Sequence, residues 1–225
     1  MKVSLEERRE FKYVLPRSSR AAFEVWLRRS TALFSAVYNP RLVYNVYADT
    51  IAWDSFTSNL DGISERGKLR LRWYGEQSFV NVLRLERKLK RENSTIKQSI
   101  EIPGIDLDDL SWPRLNAHLV HHSPPAWSME VALLRFPVSR NHYSRRYYLS
   151  RDRSIRLTVD SDLVIHDLIN TSCMMEGTRR CVAFDIVEVK LPVTALPRAA
   201  KIFADFPARL SRMSKYIFGV QASFS

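Results

Sequence analysis

The strongest constraint on how this chain folds is an alternation of charged and apolar residues that recurs in several separate segments. In a β-strand, successive side chains leave opposite faces of the sheet, so a period of two sorts residues onto two surfaces. From Arg66 to Tyr74 one face carries Arg66, Lys68, Arg70, Arg72 and Tyr74, and the other carries Gly67, Leu69, Leu71 and Trp73. Arg84, Glu86, Lys88 and Lys90 alternate with Leu85, Arg87 and Leu89. The pattern returns in Arg8, Glu10, Lys12 against Arg9, Phe11, Tyr13, and in Arg156, Thr158, Asp160 against Ile155, Leu157, Val159. It returns again in Ile186, Glu188, Lys190 against Asp185, Val187, Val189, Leu191, and Tyr143, Arg145 and Tyr147 mark a sixth strand. Antiparallel sheets commonly bury one face and solvate the other, which accounts for any one of these strands alone. Six strands whose polar faces favour Arg and Lys suggest more. If the sheet closes, these faces line an interior, where uncompensated cations cost several kcal/mol each unless an anion or water joins them. The expected fold is therefore α+β, an antiparallel β barrel with a basic lumen. Lys12, Arg70, Arg72, Lys88, Arg156, Glu188 and Lys190 should point inward.

Helices should cover the apolar outside. Arg17 to Arg29 places Phe23, Trp26 and Leu27 at helical spacing after Pro16, with Ser18 or Ser19 as cap. Asp106 to His121 offers Leu107, Leu110, Leu115 and Leu119, and a tail from Leu196 to Phe218 is broken near Pro207. Pro103-Gly104 and Ser123-Pro124-Pro125 read as punctuation. Neither marks a composition shift, so residues 1–225 are expected to form one domain.

Charge narrows the partners. Among 225 residues, 35 Lys plus Arg against 24 Asp plus Glu gives 35 − 24 = +11, so the partner is an anion. Nucleic acid, an anionic membrane and a phosphorylated small molecule all satisfy that requirement. The charged opening residues lack the apolar core of a secretory signal, and no run approaches the roughly 18 apolar residues of a membrane span. A soluble, cytoplasmic protein is expected. Cys173 and Cys181 form no CxxC pair, which excludes a four-cysteine zinc site. His118, His121 and His122 share a helical spacing but have no nearby cysteine to complete a zinc set, and read as surface histidines. Neither GxGxxG nor GxxxxGK[ST] occurs, which argues against P-loop and dinucleotide enzymes. Trp73 lies opposite Arg70 and Arg72 rather than beside them, which argues against an open, aromatic-lined groove for single-stranded nucleic acid.

Several motifs resemble, in order, those of the VTC domain, the polyphosphate polymerase module of the triphosphate tunnel metalloenzyme superfamily. They are Arg8-Arg9-Glu10-Phe11-Lys12-Tyr13, Tyr47-Ala48-Asp49-Thr50, Lys68-Leu69-Arg70-Leu71-Arg72-Trp73-Tyr74, Leu85-Glu86-Arg87-Lys88, Tyr143-Ser144-Arg145, Arg156-Leu157-Thr158-Val159-Asp160, Val187-Glu188-Val189-Lys190 and Ser214-Lys215-Tyr216. The resemblance implies an antiparallel eight-stranded β tunnel barrel flanked by α-helices, with a C-terminal helix near one tunnel mouth. It also implies transfer of the terminal phosphate of ATP, or another triphosphate, to inorganic polyphosphate. By motif match, Lys12, Lys68, Arg70, Arg72, Lys88, Arg145, Arg156 and Lys190 form the phosphate cradle. Tyr143 adds a hydroxyl, and Lys215, with Arg212, approaches from the C-terminal helix. Arginine suits this task because its planar fork binds phosphate oxygens in pairs. Mn²⁺ or Mg²⁺, which takes one or two carboxylates plus phosphate oxygens, would be held by Glu188, then Glu86 and Glu10. Hydrolytic relatives usually begin Glu-x-Glu-x-Lys, whereas this chain has Arg8, Glu10 and Lys12, which favours the polymerase branch. A metal-dependent triphosphatase and a non-catalytic polyphosphate binder are the alternatives. No second domain or membrane segment is expected here, although eukaryotic relatives work in a membrane complex.

Overall fold

The computed structural model describes residues 8–75, 79–91, 94–108, 110–169, 171 and 173–223. The alternating segments form strands: β1 (Arg8–Pro16), β2 (Ser35–Asp49), β3 (Arg66–Tyr74), β4 (Phe79–Arg91), β5 (Ser94–Asp106), β6 (Phe136–Leu149), β7 (Arg156–Asp167), β8 (Thr178–Cys181), β9 (Phe184–Pro192) and β10 (Arg209–Ser211). They make a 10-stranded sheet in the order β10-β1-β9-β7-β6-β2-β3-β4-β5, with β8 on β7. Six helices accompany it: α1 (Arg20–Arg29), α2 (Asp54–Leu60), α3 (Trp112–His122), α4 (Pro125–Ala132), α5 (Leu196–Ile202) and α6 (Lys215–Ser223). The chain divides into two compact units. The first holds Met1–Arg41, Tyr143–Leu163 and Cys181–Met213, and the second holds Leu42–His142, Val164–Arg180 and Ser214–Ser225.

In the first unit β1 lies antiparallel between β9 and β10, and β9 also pairs antiparallel with β7. One face of these strands presents Leu157, Val159, Val187, Val189 and Leu191, which are buried with Phe23, Trp26 and Leu27 of α1 and Ile202 of α5. Each such side chain contributes on the order of 1.5–3 kcal/mol when fully buried. α1 is further tied to the sheet by Arg20, which donates from Nε to Asp185 Oδ2 at 2.7 Å. In the second unit β3 pairs with β2 and β4, and β4 with β5, all antiparallel. Leu69, Leu71, Trp73, Leu83 and Leu85 are buried there against Trp112, Leu115 and Leu119 of α3 and Trp127 and Val131 of α4. Every apolar residue that the alternation assigned to the outer face of β3 thus lies in this core.

Three expectations are corrected. The sheet has ten strands, not eight, because β8 (Thr-Arg-Arg-Cys) and β10 (Arg-Leu-Ser) are too short to show a period of two. Nor is the sheet a closed barrel: among the described residues its order runs from β10 to β5 without a pairing that joins those ends. Finally, the helix expected from Asp106 begins at Trp112, with Pro113 in its first turn. Leu107 and Leu110 lie outside that helix although both are buried. The tail from Leu196, expected to break near Pro207, is α5, β10 and α6 in succession.

Pro103-Gly104, expected as a break, lies inside β5. β5 ends the strand order, where proline is tolerated because one edge of the strand has no ladder to serve. Glycine is required for a different reason: a Cβ at Gly104 would sit 1.5 Å from the Val80 carbonyl oxygen. The neighbouring backbone occupies that space and has no flexible end to move. Gly104→Ala should therefore lower stability by about 3 kcal/mol, measured by chemical denaturation. A loss no larger than that of an exposed strand substitution would show that β4 and β5 do not approach this closely.

Candidate functional site

In the second unit, the charged face of β3 and β4 is built by register. Lys68 lies opposite Lys88, Arg70 opposite Glu86, and Arg72 opposite Arg84. On the other side of β3, Arg72 lies opposite Asn45 and Arg70 opposite Tyr47. Lys97 of β5 is across from Lys88. Glu86, 6% exposed, holds this array together. Its Oε2 accepts from Arg70 Nε at 2.9 Å and from Arg70 Nη2 through a still shorter contact, and its Oε1 accepts from Lys97 Nζ at 2.8 Å. Arg72 Nη1 stands 3.8 Å from Oε2. Burial alone would raise the Glu86 carboxyl, but Arg70, Arg72 and the Lys97 hydrogen bond outweigh it and hold it at about 2. Arg72, itself 6% exposed, donates from Nε to Asn45 Oδ1 at 2.8 Å, and Asn45 Nδ2 donates to Asn141 Oδ1 at 2.9 Å.

Lys215 joins this group through the seating of α6. Tyr216 donates to Asp49 Oδ2 at 2.5 Å, and Asp49 also accepts from the Ser55 and Phe56 backbone amides that open α2. Gly219 lets α6 press on Ser139, whose Oγ would lie 2.8 Å from a Cβ at that position. Lys68 Nζ donates to Ser214 Oγ at 3.1 Å, just before the helix. Burial would raise the Tyr47 phenol, yet Arg70, Lys215 and Arg72 together bring it below its ordinary value. The positive field of these three side chains therefore converges on Tyr47.

In the first unit the corresponding face carries Glu10 and Lys12 of β1, Tyr143 and Arg145 of β6, Arg156, Thr158 and Asp160 of β7, and Glu188 and Lys190 of β9. Glu10 is opposite Lys190, Lys12 opposite Glu188, and Arg156 opposite Lys190. Lys190 Nζ sits 2.5 Å from Glu188 Oε1 and 3.3 Å from Glu10 Oε2, and Lys12 Nζ is 3.4 Å from Glu10 Oε1. Two carboxylates thus converge on one ammonium. Burial would raise the Glu188 carboxyl, but Lys190, then Lys12 and Arg145, push it well below the usual carboxylate range. Arg145 is committed along one edge to buried Asp160, with Nε–Oδ1 at 2.5 Å and Nη2–Oδ2 at 2.7 Å. Its guanidinium also lies 5.2 Å from the centre of the buried Tyr143 ring.

The sequence-predicted residues therefore fall into two groups. Lys68, Arg70, Arg72, Lys88, Glu86 and Lys215 share one face of the second unit. Lys12, Arg145, Arg156, Lys190, Tyr143, Glu10 and Glu188 share one face of the first. Arg212 is exposed beyond β10, and among the described residues no contact brings it into the first unit's group. Asn45, Tyr47, Lys97, Asn141, Asp49 and Asp160 were missed. Tyr47 and Asp49 stood in a motif that gave no reason to orient them, and Lys97 lies in a strand without a charged period.

Two carboxylates converging on a cation-sized point suit a Mg²⁺- or Mn²⁺-type ion that completes its shell with phosphate oxygens. Among the described residues no three His, Cys, Asp or Glu side chains are placed to hold a metal alone. Glu86 is already occupied by Arg70 and Lys97. No helix of the described residues is long and apolar enough to cross a membrane.

The family model described as VTC domain matches residues 7–224. No curated protein sequence matches the chain. Among solved structures, a candidate adenylyl cyclase from Hippeastrum, described as having a dominant triphosphatase activity, is similar at 17% identity and TM-score 0.52, with 95% of each chain covered. A candidate adenylate cyclase from Bacillus halodurans is similar at 15% identity and TM-score 0.52, with 96% of each covered. A protein from Pyrococcus horikoshii OT3 follows at 12% identity and TM-score 0.51, covering 96% of this chain and 98% of its own. At these identities the likeness is one of fold.

Glu86 makes a pH test possible. Its folded-state pKa is depressed, so its stabilising contribution is complete above the unfolded carboxylate value and is lost as pH falls toward about 2. Glu86→Gln should cost on the order of 3 kcal/mol near neutral pH, and the gap to wild type should close between roughly pH 4.5 and 2. Urea unfolding across that range reads it directly. A gap that stays constant with pH would mean the carboxylate does not brace the arginines.

Proposed function

The chain belongs to the VTC domain family, and from that premise we propose that it is a phosphotransferase that moves the terminal phosphate of ATP onto an inorganic polyphosphate chain. The observation that carries this reading is the clustering of Lys68, Arg70, Arg72 and Lys88 in the second unit, and of Lys12, Arg145, Arg156 and Lys190 in the first, on the face opposite each unit's apolar core. Such a face is a site for polyanions. Phosphoryl transfer asks little covalent work of a protein and much positioning and charge neutralisation. The acceptor phosphate oxygen forms a bond to the γ-phosphorus as the bond to the ADP oxygen breaks, and negative charge on the transferred group must be held throughout.

In this reading Arg70 and Arg72 give directed pairs of N–H donors to phosphate oxygens. Lys68, Lys88 and Lys215 add point charges on the same face. Lys12, Arg145, Arg156 and Lys190 do the same in the first unit, with Tyr143 lining the same face. Arg145 is oriented by Asp160, so its donors meet substrate in a fixed direction. Glu188 and Glu10 are the residues that would hold a divalent cation, which when bound neutralises phosphate charge and orients the terminal phosphate. Lys190 lies between them and keeps the acids compensated.

Hydrolysis of triphosphates is the second reading, and one observation favours it. Glu10 and Glu188 still form a carboxylate pair, which suits a metal that positions water in place of the acceptor phosphate. Product analysis separates the two, because transfer gives ADP and polymer whereas hydrolysis gives ADP and orthophosphate.

The residue roles are tested by calorimetry with tripolyphosphate, with and without Mn²⁺, beside ATP turnover. Arg70→Ala or Arg72→Ala should weaken metal-free binding by about tenfold or more, the size of a lost charge-assisted hydrogen bond. Glu188→Gln should leave metal-free binding intact or tighter, since a negative charge is removed, while metal-dependent turnover falls by at least a factor of about 100. Wild-type turnover in Glu188→Gln would remove Glu188 from the metal role. Unchanged affinity in both arginine variants would return β3 to an ordinary solvated strand.

A further inference from the structure

A second cationic feature lies on the opposite face of the same β6 strand. Arg140 and His142 alternate with Ser139 and Asn141, so they leave the sheet away from Asn141, which hydrogen-bonds Asn45 and, through it, Arg72. Arg140 is 5% exposed. Among the described residues its Nη2 donates to the Met175 carbonyl at 2.9 Å, and its buried Nε has no partner. No carboxylate pairs with it among the described residues. An arginine buried in this way carries a desolvation cost of several kcal/mol that a single carbonyl does not offset.

The histidines beside it are in a similar position. His142 Nδ1 and His166 Nε2 are buried atoms without a hydrogen-bond partner. The two rings lie 5.6 Å apart, and Tyr44 stands 5.1 Å from His142 on the other side. Three nitrogens in one patch without partners among the described residues call for a partner, because buried polar groups in folded proteins are nearly always paired. The histidine rings are partly exposed while Arg140 is not, so the patch has an open rim and a cationic floor. Cys173 and Arg179 are the other ionisable groups near it. A metal does not suit these ligands, since no three His, Cys, Asp or Glu side chains among the described residues are placed to hold one.

We propose that Arg140, His142 and His166 form a second oxyanion site, on the core-side face of the second unit, that takes a small tetrahedral oxyanion such as inorganic phosphate or sulfate. Arg140 supplies the charge and a directed N–H donor, and each imidazole supplies a further N–H when it is protonated at the nitrogen that faces the anion. Burial, and then Arg140, hold both histidines below their ordinary values, His166 at about 4, and Arg179 adds to the effect. An anion beside Arg140 cancels that repulsion and draws protons onto the rings. Binding should therefore tighten as pH falls. This inference does not depend on the reaction proposed above, because the site lies on the other face of β6.

Sulfate is the probe of choice, since it stays a dianion from pH 5 to 8, where histidine titrates. The histidine ring resonances are followed by NMR against sulfate, with chloride at matched ionic strength as control. Saturating sulfate should raise the His142 and His166 pKa values by about one unit, and affinity should be roughly tenfold higher at the acid end of the range. Arg140→Gln should abolish both effects. Ring pKa values that do not respond to sulfate in the wild-type chain overturn the proposal, as does an equal response in folded Arg140→Gln or in chloride. Should Arg140→Gln not fold, His142→Gln serves: between pH 5 and 8 sulfate affinity in that variant should lose most of its pH dependence, and full retention of it overturns the proposal.

Discussion

Glu86 accepts from Arg70 on one neighbouring strand and from Lys97 on the other, so a single carboxylate ties together β3, β4 and β5 on their charged face. Without it, three cations would crowd a half-buried surface in a medium where their repulsion is poorly screened. With it, Arg70 and Arg72 are held in place and still leave the face rich in positive charge. The apolar side of the same strands is buried by α3 and α4, and this fixes the register, since a slip of one residue would exchange Leu69, Leu71 and Trp73 for the arginines. The Glu86 brace and the helix-covered core thus specify the same arrangement from opposite faces of the sheet.

The first unit solves the same problem with the signs reversed. There, one ammonium, Lys190, is shared by two acids, Glu10 and Glu188. The pair is compensated as it stands, and in the proposed reaction Glu10 and Glu188 are the residues that would hold a divalent cation. Arg145 is fixed by Asp160, whereas Arg156 stands exposed at the edge of the same face. A fixed donor and an exposed donor thus share one surface.

Much of this was legible in the residues. The alternation in β3 placed Leu69, Leu71 and Trp73 in the core and Arg70 and Arg72 opposite, because a half-buried strand leaves a strong periodic trace. What left no trace was short or long-range. β8 and β10 have four and three residues and too little sequence for any period. The strand containing Pro103-Gly104 looked like a break because those residues usually punctuate. There the glycine serves close packing, which depends on Val80 more than twenty positions away. Asp49 is a capping residue for α2 and an acceptor for Tyr216, and only the folded chain brings Tyr216 to it across 167 positions. Lys97 gained its role in the same way, from a partner on the adjacent strand.

The central claim is that this face carries out phosphoryl transfer rather than mere retention of phosphate, and ³¹P NMR of a turnover mixture tests it most directly. The chain is incubated with ATP and Mn²⁺, the metal is removed by chelation before recording, and the spectrum is followed with time. The account expects the γ-phosphate signal of ATP to decline as ADP and the interior resonance of condensed polyphosphate grow together. Growth of orthophosphate alone would make the chain a hydrolase, and an unchanged ATP spectrum in the presence of demonstrable triphosphate binding would contradict catalysis altogether.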